Sequence, residues 1–309
     1  MKILVTGVAG QVGHELLRTL APLGEVVGVD LAEMDLTSPD AIRRTMRGVA
    51  PALVVNPAAY TAVDRAESEP ELAMQVNGVA PGVIAQEARR LNARLVHFST
   101  DYVFDGAKDG AYTEEDAPAP ASVYGRTKLA GEQAVAASGC RYLVLRTSWV
   151  YGLRGGNFMK TMFRLAGERD ELRVIDDQHG APTTSRALAE ACALVAAGWL
   201  ADSSPGAAHD ALLDGTYHAT CAGSTTWCGF ARAIVQRLDP IARALGEPVP
   251  ARRPTVTAIG TADYPTPARR PANSVLDNGK LARRFGVALP HWESALDALL
   301  AEPRPPRAR

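Results

Sequence analysis

Short runs that are apolar at every position alternate along the first half of the chain with stretches whose apolar residues recur at helical spacing. The runs are Ile3 to Val5, Val26 to Val29, Leu53 to Val55, Leu95 to Phe98 and Tyr142 to Leu145. A strand that is apolar on both faces has to be covered on both, so the pattern predicts a parallel sheet with helices on either side. The predicted class is α/β, a Rossmann-type doubly wound parallel sheet. Leu172 to Ile175 predicts a further strand extending that sheet, followed by a helix from about Ser185 to Trp199. The texture changes near Ala201. The Gly, Pro, Ser and Asp content from Asp202 to Gly215 predicts a surface loop. Beyond it come a short strand (Thr216 to Ala219), a helix (Thr226 to Leu238), a proline-punctuated stretch from Pro248 to Pro271 and two short helices. The expected organisation is a first lobe over 1–150, further sheet elements with a smaller carboxyl-terminal lobe over 151–302, and a flexible tail over 303–309.

Composition narrows the class. The chain has 309 residues, 47% hydrophobic and 22% charged, enough apolar material for a sizeable core. Lys and Arg number 33 against 34 Asp and Glu, so no global field gathers nucleic acid or an anionic membrane, and neither partner is expected. No apolar stretch reaches the roughly 18 residues of a membrane span, and the amino-terminal apolar run is too short for a signal peptide. A cytoplasmic protein is expected, with Cys140, Cys192, Cys221 and Cys228 as reduced, mostly buried thiols. Neither these cysteines nor the six histidines have the close spacing of metal ligands, and no metal site is predicted.

The first strand runs into Thr6-Gly7-Val8-Ala9-Gly10-Gln11-Val12-Gly13, followed by a helical pattern. A glycine triplet between a strand and a helix at the start of a βαβ unit is the context of a dinucleotide-binding turn. Gly7 permits the tight turn, Gly10 admits a diphosphate close to the backbone, and Gly13 lets the helix approach the strand. Asp30 closes the second strand, where its carboxylate can accept from ribose hydroxyls and would repel a 2′-phosphate. Asp35 and Leu36 open the next loop, beside the expected adenine. Asn56 to Thr61 follows the third strand at the carboxyl edge of the sheet, where ligands of such sheets bind.

Strand four ends in Ser99-Thr100-Asp101-Tyr102, and the next helical segment carries Tyr124-Gly-Arg-Thr-Lys128. Four residues put the tyrosine hydroxyl and the lysine ammonium on one helix face. A nearby cation lowers a phenol from its ordinary pKa of about 10, so the pair can serve as general acid. Thr100 can hydrogen-bond the same substrate oxygen and steer it toward Tyr124.

With these residues in order, the sequence resembles the extended short-chain dehydrogenase/reductases, and within them reductases of nucleotide sugars, from Met1 to about Leu300. The resemblance is carried by Gly7 to Gly13, Thr61-Ala-Val-Asp-Arg-Ala-Glu67, Ser99-Thr-Asp-Tyr-Val-Phe-Asp-Gly106, Val123 to Lys128, Arg146-Thr-Ser-Trp-Val-Tyr151 and Tyr264-Pro-Thr-Pro-Ala-Arg-Arg-Pro271. It implies a catalytic triad of Thr100, Tyr124 and Lys128, and reduction of the C4 ketone of a dTDP-sugar with NADPH or NADH. It also implies that Gly10, Gln11, Val12, Asp30, Asp35, Leu36, Ala59, Tyr60, Thr61, Tyr124 and Lys128 touch the cofactor, and that Thr100, Asp101 and Trp149 touch the substrate. Trp149 would offer an aromatic face to the sugar.

Some members of that family hold magnesium through carboxylates at a dimer contact. Here Arg186 stands where one carboxylate is expected and Glu293 is no evidence by itself, so magnesium stays unassigned and a homodimer stays open. Dehydratases of the same family carry Asp-Glu after the catalytic threonine, whereas Tyr102 follows Asp101 here, which argues against dehydration. A non-catalytic regulatory subunit is the other alternative, and intact Tyr124 and Lys128 weigh against it. Residues 251–309 carry ten Lys and Arg against five Asp and Glu, and Arg269 and Arg270 are the expected contributors to diphosphate binding.

Overall fold

The computed structural model describes residues 1–201 and 213–301. The predicted tail, and residues 202–212 of the loop predicted from Asp202 to Gly215, lie outside the described residues. Five strands run parallel in the central sheet: β1 (Lys2–Thr6), β2 (Glu25–Val29), β3 (Leu53–Asn56), β4 (Arg94–Thr100) and β5 (Arg141–Thr147). A sixth, Gly215–His218, pairs parallel with β5 at one edge, so the spatial order runs from it through β5, β4, β3 and β1 to β2.

The two faces of this sheet explain the apolar runs. Ile3, Val5, Leu53, Val55, Val96 and Phe98 pack on one side with Leu16 of α1 (Gln11–Thr19) and with Leu188, Cys192 and Val195 of the helix Ser185–Ala201. Leu4, Val54, Leu95 and Val144 pack on the other with Ile42, Met46, Ile84 and Ala88 from the helices Pro39–Val49 and Ala80–Arg90. Successive strand residues serve opposite layers, which is why the strands carry no polar alternation.

The strand near Leu172 is corrected by the structure. Glu171–Ile175 does not extend the central sheet but pairs parallel with Thr255–Ile259 in a separate two-stranded sheet. Its exposed Glu171 and Arg173 alternate with buried Leu172 and Val174, so only one face is apolar, and a strand inside a doubly wound sheet needs both. The partner strand lies within the proline-punctuated stretch. The predicted helix over 226–238 ends earlier, at Trp227–Gln236, and a second helix, Leu238–Leu245, follows it.

All four cysteines are buried and unpaired. Among the described residues no helix is long and apolar enough to cross a membrane. The carboxyl ends of β1, β3 and β4 carry Thr6, Asn56 and Thr100, and the candidate site gathers at that edge.

Candidate active site

At the end of β1, Gly7 takes a left-handed φ of +61° and its carbonyl accepts from the Gly10 N–H at 3.0 Å. A Cβ on Gly13 would stand 2.2 Å from that carbonyl oxygen, so no other residue lets α1 begin there. No side chain caps α1 at Gly10, which leaves its first N–H groups for an anion. The cradle therefore fits the diphosphate of a dinucleotide. Asp30 fastens the turn: Oδ2 accepts from the Ala9 N–H at 2.6 Å and Oδ1 from the Leu31 N–H at 2.9 Å. Its remaining lone pairs are those a ribose would use.

A neighbour 145 residues away completes the cradle, and local sequence carried no sign of it. Arg154 donates through Nε to the Ala9 carbonyl at 3.1 Å. Asn157 donates to Gln11 Oε1 at 2.9 Å. Val12 is partly buried against the core beneath. Asp35 accepts from both the N–H and the hydroxyl of Thr37 at 2.8 Å, which holds its carboxyl below the usual range and gives it a local role in the turn before the helix Pro39–Val49. Leu36 packs partly buried against the second core layer. The loop with Ala59, Tyr60 and Thr61 is pinned by Asn77, which accepts from the Tyr60 N–H at 2.8 Å and donates to the Tyr60 carbonyl at 3.0 Å. The Tyr60 hydroxyl donates to Glu69.

The helix Val123–Ala137 starts behind Ser122, whose hydroxyl accepts from the Gly125 N–H at 3.1 Å, while Glu67 accepts from the Val123 N–H at 2.8 Å. Tyr124 and Lys128 are both buried. The Lys128 ammonium donates to the Phe98 carbonyl at 2.6 Å, and burial brings its pKa down to about 8 against the opposing pull of Glu132. Glu132 forms a buried two-pronged pair with Arg146 of β5, at 2.9 and 2.7 Å, which locks the helix to the sheet.

Burial and then the charge of Asp101 push the Tyr124 phenol well above its ordinary value, with the Thr100 hydroxyl pulling the other way. Desolvation, rather than the lowering expected from Lys128, sets the direction. Tyr124 is consequently a protonated phenol at neutral pH, the state a proton donor needs. Thr100 donates to Asp101 Oδ1 at 2.9 Å and accepts from the Tyr102 N–H at 3.2 Å. Burial lifts Asp101 to about 6, opposed by hydrogen bonds from Ser274 and Thr100.

Tyr102 meets the Tyr124 ring edge-on, with centroids 5.5 Å apart and planes at 78°. Its hydroxyl accepts from Arg270 at 3.0 Å, and Arg270 pairs with Asp64 at 2.6 Å. The expectation that Arg270 serves the diphosphate is therefore revised: its guanidinium fastens the carboxyl-terminal segment to Asp64 and Tyr102. Arg269 remains exposed. Trp149 adopts a left-handed φ of +48° and stacks on Trp227 at 3.6 Å with planes 9° apart. One face of the indole expected to meet the sugar is thus covered by a partner that sequence spacing did not single out.

Glu15 is paired with Arg186 at 3.6 Å and Glu190 with Arg18 at 3.4 Å, and among the described residues no three acidic, histidine or cysteine side chains cluster as ligands.

A glycine cradle at the first βα turn, with a buried Thr-Tyr-Lys constellation two strands over, defines an oxidoreductase of the short-chain dehydrogenase/reductase class that uses a nicotinamide dinucleotide. The chain belongs to the family described as RmlD substrate binding domain, whose model matches residues 1–304. It is 48% identical over 296 residues to the dTDP-4-dehydrorhamnose reductase of Burkholderia thailandensis, covering 96% of this chain and 97% of that one. The Escherichia coli K12 protein of the same name is 43% identical over 306 residues, with 98% of both chains covered. Among solved structures, a dTDP-4-dehydrorhamnose reductase from Clostridium acetobutylicum matches with a TM-score of 0.84 and 37% identity, over 97% of this chain and 98% of that one. The Bacillus anthracis reductase in complex with NADP matches at 0.83 and 33%, over 96% and 98%.

Proposed function

We propose that this chain reduces the C4 ketone of dTDP-4-dehydro-L-rhamnose to dTDP-L-rhamnose with NADPH or NADH, the last step of dTDP-L-rhamnose biosynthesis. The observation that carries the reading is the buried Tyr124, held protonated on a helix locked to the sheet, beside Thr100 at the carboxyl end of β4. A reduced nicotinamide, when bound, supplies the hydride that the carbonyl carbon receives. Gly7, Gly10 and Gly13, the first N–H groups of α1, Asp30 and the Ala59 to Thr61 loop would hold that cofactor. The protein's own part is proton delivery and alignment. Tyr124 gives its hydroxyl proton to the developing alkoxide, Thr100 turns its hydroxyl from Asp101 to donate to the same oxygen, and Lys128 balances the charge left on the phenolate.

The substrate's nucleotide diphosphate binds away from the reacting carbon, so its binding energy can be used to orient the ketone. Asp101 and Trp149 belong to the sugar contacts in this reading. The lobes over 1–150 and 151–302 would divide the work between cofactor and sugar nucleotide. A cytoplasmic place of action and a homodimer complete the proposal. The decisive assay generates the keto-sugar enzymatically in the same tube, supplies NADPH or NADH, and follows absorbance loss together with the product sugar. Cofactor binding by folded protein without any reduced sugar would overturn the assignment in favour of an epimerase or regulatory role.

A further inference from the structure

His97 had no role in the sequence reading, yet the structure puts it in polar contact with Lys128. Thr6 and Asn56 close β1 and β3 and lie side by side with His97 in the middle of β4, on the face whose lower rows are Leu4, Val54 and Leu95. An otherwise apolar layer thus ends in a polar row. All three side chains are buried, and His97 has no exposed surface at all. Thr6 Oγ1 lies 2.6 Å from Asn56 Oδ1 and accepts from the Ala58 N–H at 3.3 Å. Asn56 Nδ2 lies 3.1 Å from His97 Nδ1, and His97 Nε2 lies 3.4 Å from Lys128 Nζ. The row therefore runs unbroken from the loop beyond β3 to the lysine of the constellation.

The chemistry of each group fixes its role. An ammonium only donates, so a ring nitrogen bonded to it has to present a lone pair. That makes Nε2 the acceptor and puts the ring proton on Nδ1, where the Asn56 backbone carbonyl receives it. Asn56 Nδ2 faces the ring and Oδ1 accepts from Thr6; the Nδ1–H ring requires this near-symmetric amide the other way round, its oxygen sharing the ring proton with the backbone carbonyl and its NH2 donating to Thr6 Oγ1. Burial and the Lys128 charge hold the imidazole far below its ordinary pKa, so it stays neutral. The other charged or titratable groups around Lys128 are Tyr124 and Glu132 on its own helix, Arg146 on β5 paired to Glu132, and Asp101 beyond Thr100.

We propose that His97 is a positioning residue for Lys128: a neutral imidazole, protonated at Nδ1, that accepts from the ammonium through Nε2 and keeps the lysine charged at working pH. With the Phe98 carbonyl it supplies two protein acceptors to a cation that burial would otherwise discharge. The proposal rests on the catalytic role assigned to Lys128 above.

Two measurements test it, and the first is independent of turnover. Ring nitrogen-15 spectra of histidine-labelled protein, with the His97 signal assigned by its loss in His97→Gln, are expected to report a neutral Nδ1–H ring from pH 5 to 9. A ring titrating near 6.5, or protonated at Nε2, overturns the proposal whether or not the keto-sugar is reduced. The second is the pH profile of kcat. His97→Leu removes the acceptor, so the alkaline limb should move down by about one pH unit. His97→Gln can offer an amide oxygen near the old Nε2 position and should restore most of the parent profile. A Leu variant with the parent's profile, or a Gln variant that behaves like Leu, overturns the role. Failure of the parent enzyme to reduce the keto-sugar would instead count against the proposed function, with the spectra still judging His97.

Discussion

Arg270 reaches across 206 residues of sequence to Asp64 at 2.6 Å, and its second nitrogen holds the Tyr102 hydroxyl at 3.0 Å. The Ala268 N–H donates to the same aspartate at 3.3 Å. One guanidinium thus joins the carboxyl-terminal segment to the ring packed edge-on against Tyr124.

Arg270→Ala should therefore act on rate more than on stability. The ion pair is partly exposed, so solvent screening limits its worth to about 1 kcal/mol, and Tm should fall by only about 2–4 °C. Release of Tyr102 loosens the packing on Tyr124, and kcat should drop by about tenfold with cofactor affinity kept. Thermal melts and steady-state kinetics check both numbers. Unchanged kcat would leave the pair a simple fastening.

Tyr124→Phe removes the proton donor and little else. Turnover should fall by about two orders of magnitude or more, while cofactor binding stays close to the parent. Fluorescence titration alongside the coupled assay separates the two, and near-normal turnover would take the proton-transfer role away from Tyr124.

Gly13→Ala should abolish cofactor binding or folding, since its Cβ would meet the Gly7 carbonyl at 2.2 Å. Gly167→Ala is the control. It lies in the helix Phe158–Glu168 with nothing within 4 Å of the new Cβ, and should be neutral or stabilise by about 0.5–1 kcal/mol. Calorimetry on both variants reads the contrast.

Asp30 should permit NADH and keep the enzyme from strong selection of NADPH, since its carboxylate at the end of β2 opposes a 2′-phosphate. Asp30→Asn keeps an oxygen for the Ala9 N–H and removes the charge, so relative kcat/KM should move toward NADPH. A parent preference for NADPH of about a hundredfold would mean that cations such as Arg154 dominate the site instead.

Asp101 gives a pH signature with a defined sign. Its folded pKa, about 6, lies above the ordinary carboxylate value of 3.8, so between those values the folded protein binds more protons than the unfolded chain. Its contribution is then fully present at low pH and is lost as pH rises through about 6. Asp101→Asn should melt increasingly above the parent as pH goes from 4 to 7. A constant gap across that range would contradict the raised pKa.

What the sequence determined by itself was whatever local pattern can encode. Strands apolar at every position specify a sheet covered on both faces, a glycine turn between strand and helix specifies a phosphate cradle, and a Tyr to Lys spacing of one helical turn specifies a shared face. Even the independence of Glu171–Ile175 from the central sheet was written in its alternation, which a reading of β-propensity alone passed over. The tertiary structure alone decided which distant residues complete these pieces. Arg154 at the glycine turn, Arg270 on Tyr102, Trp227 against Trp149 and His97 beneath Lys128 have no periodic relation to their partners. It also decided the proton affinities: Tyr124 is raised and Lys128 lowered because both are removed from water, and desolvation belongs to the folded surroundings of a side chain rather than to its neighbours in sequence.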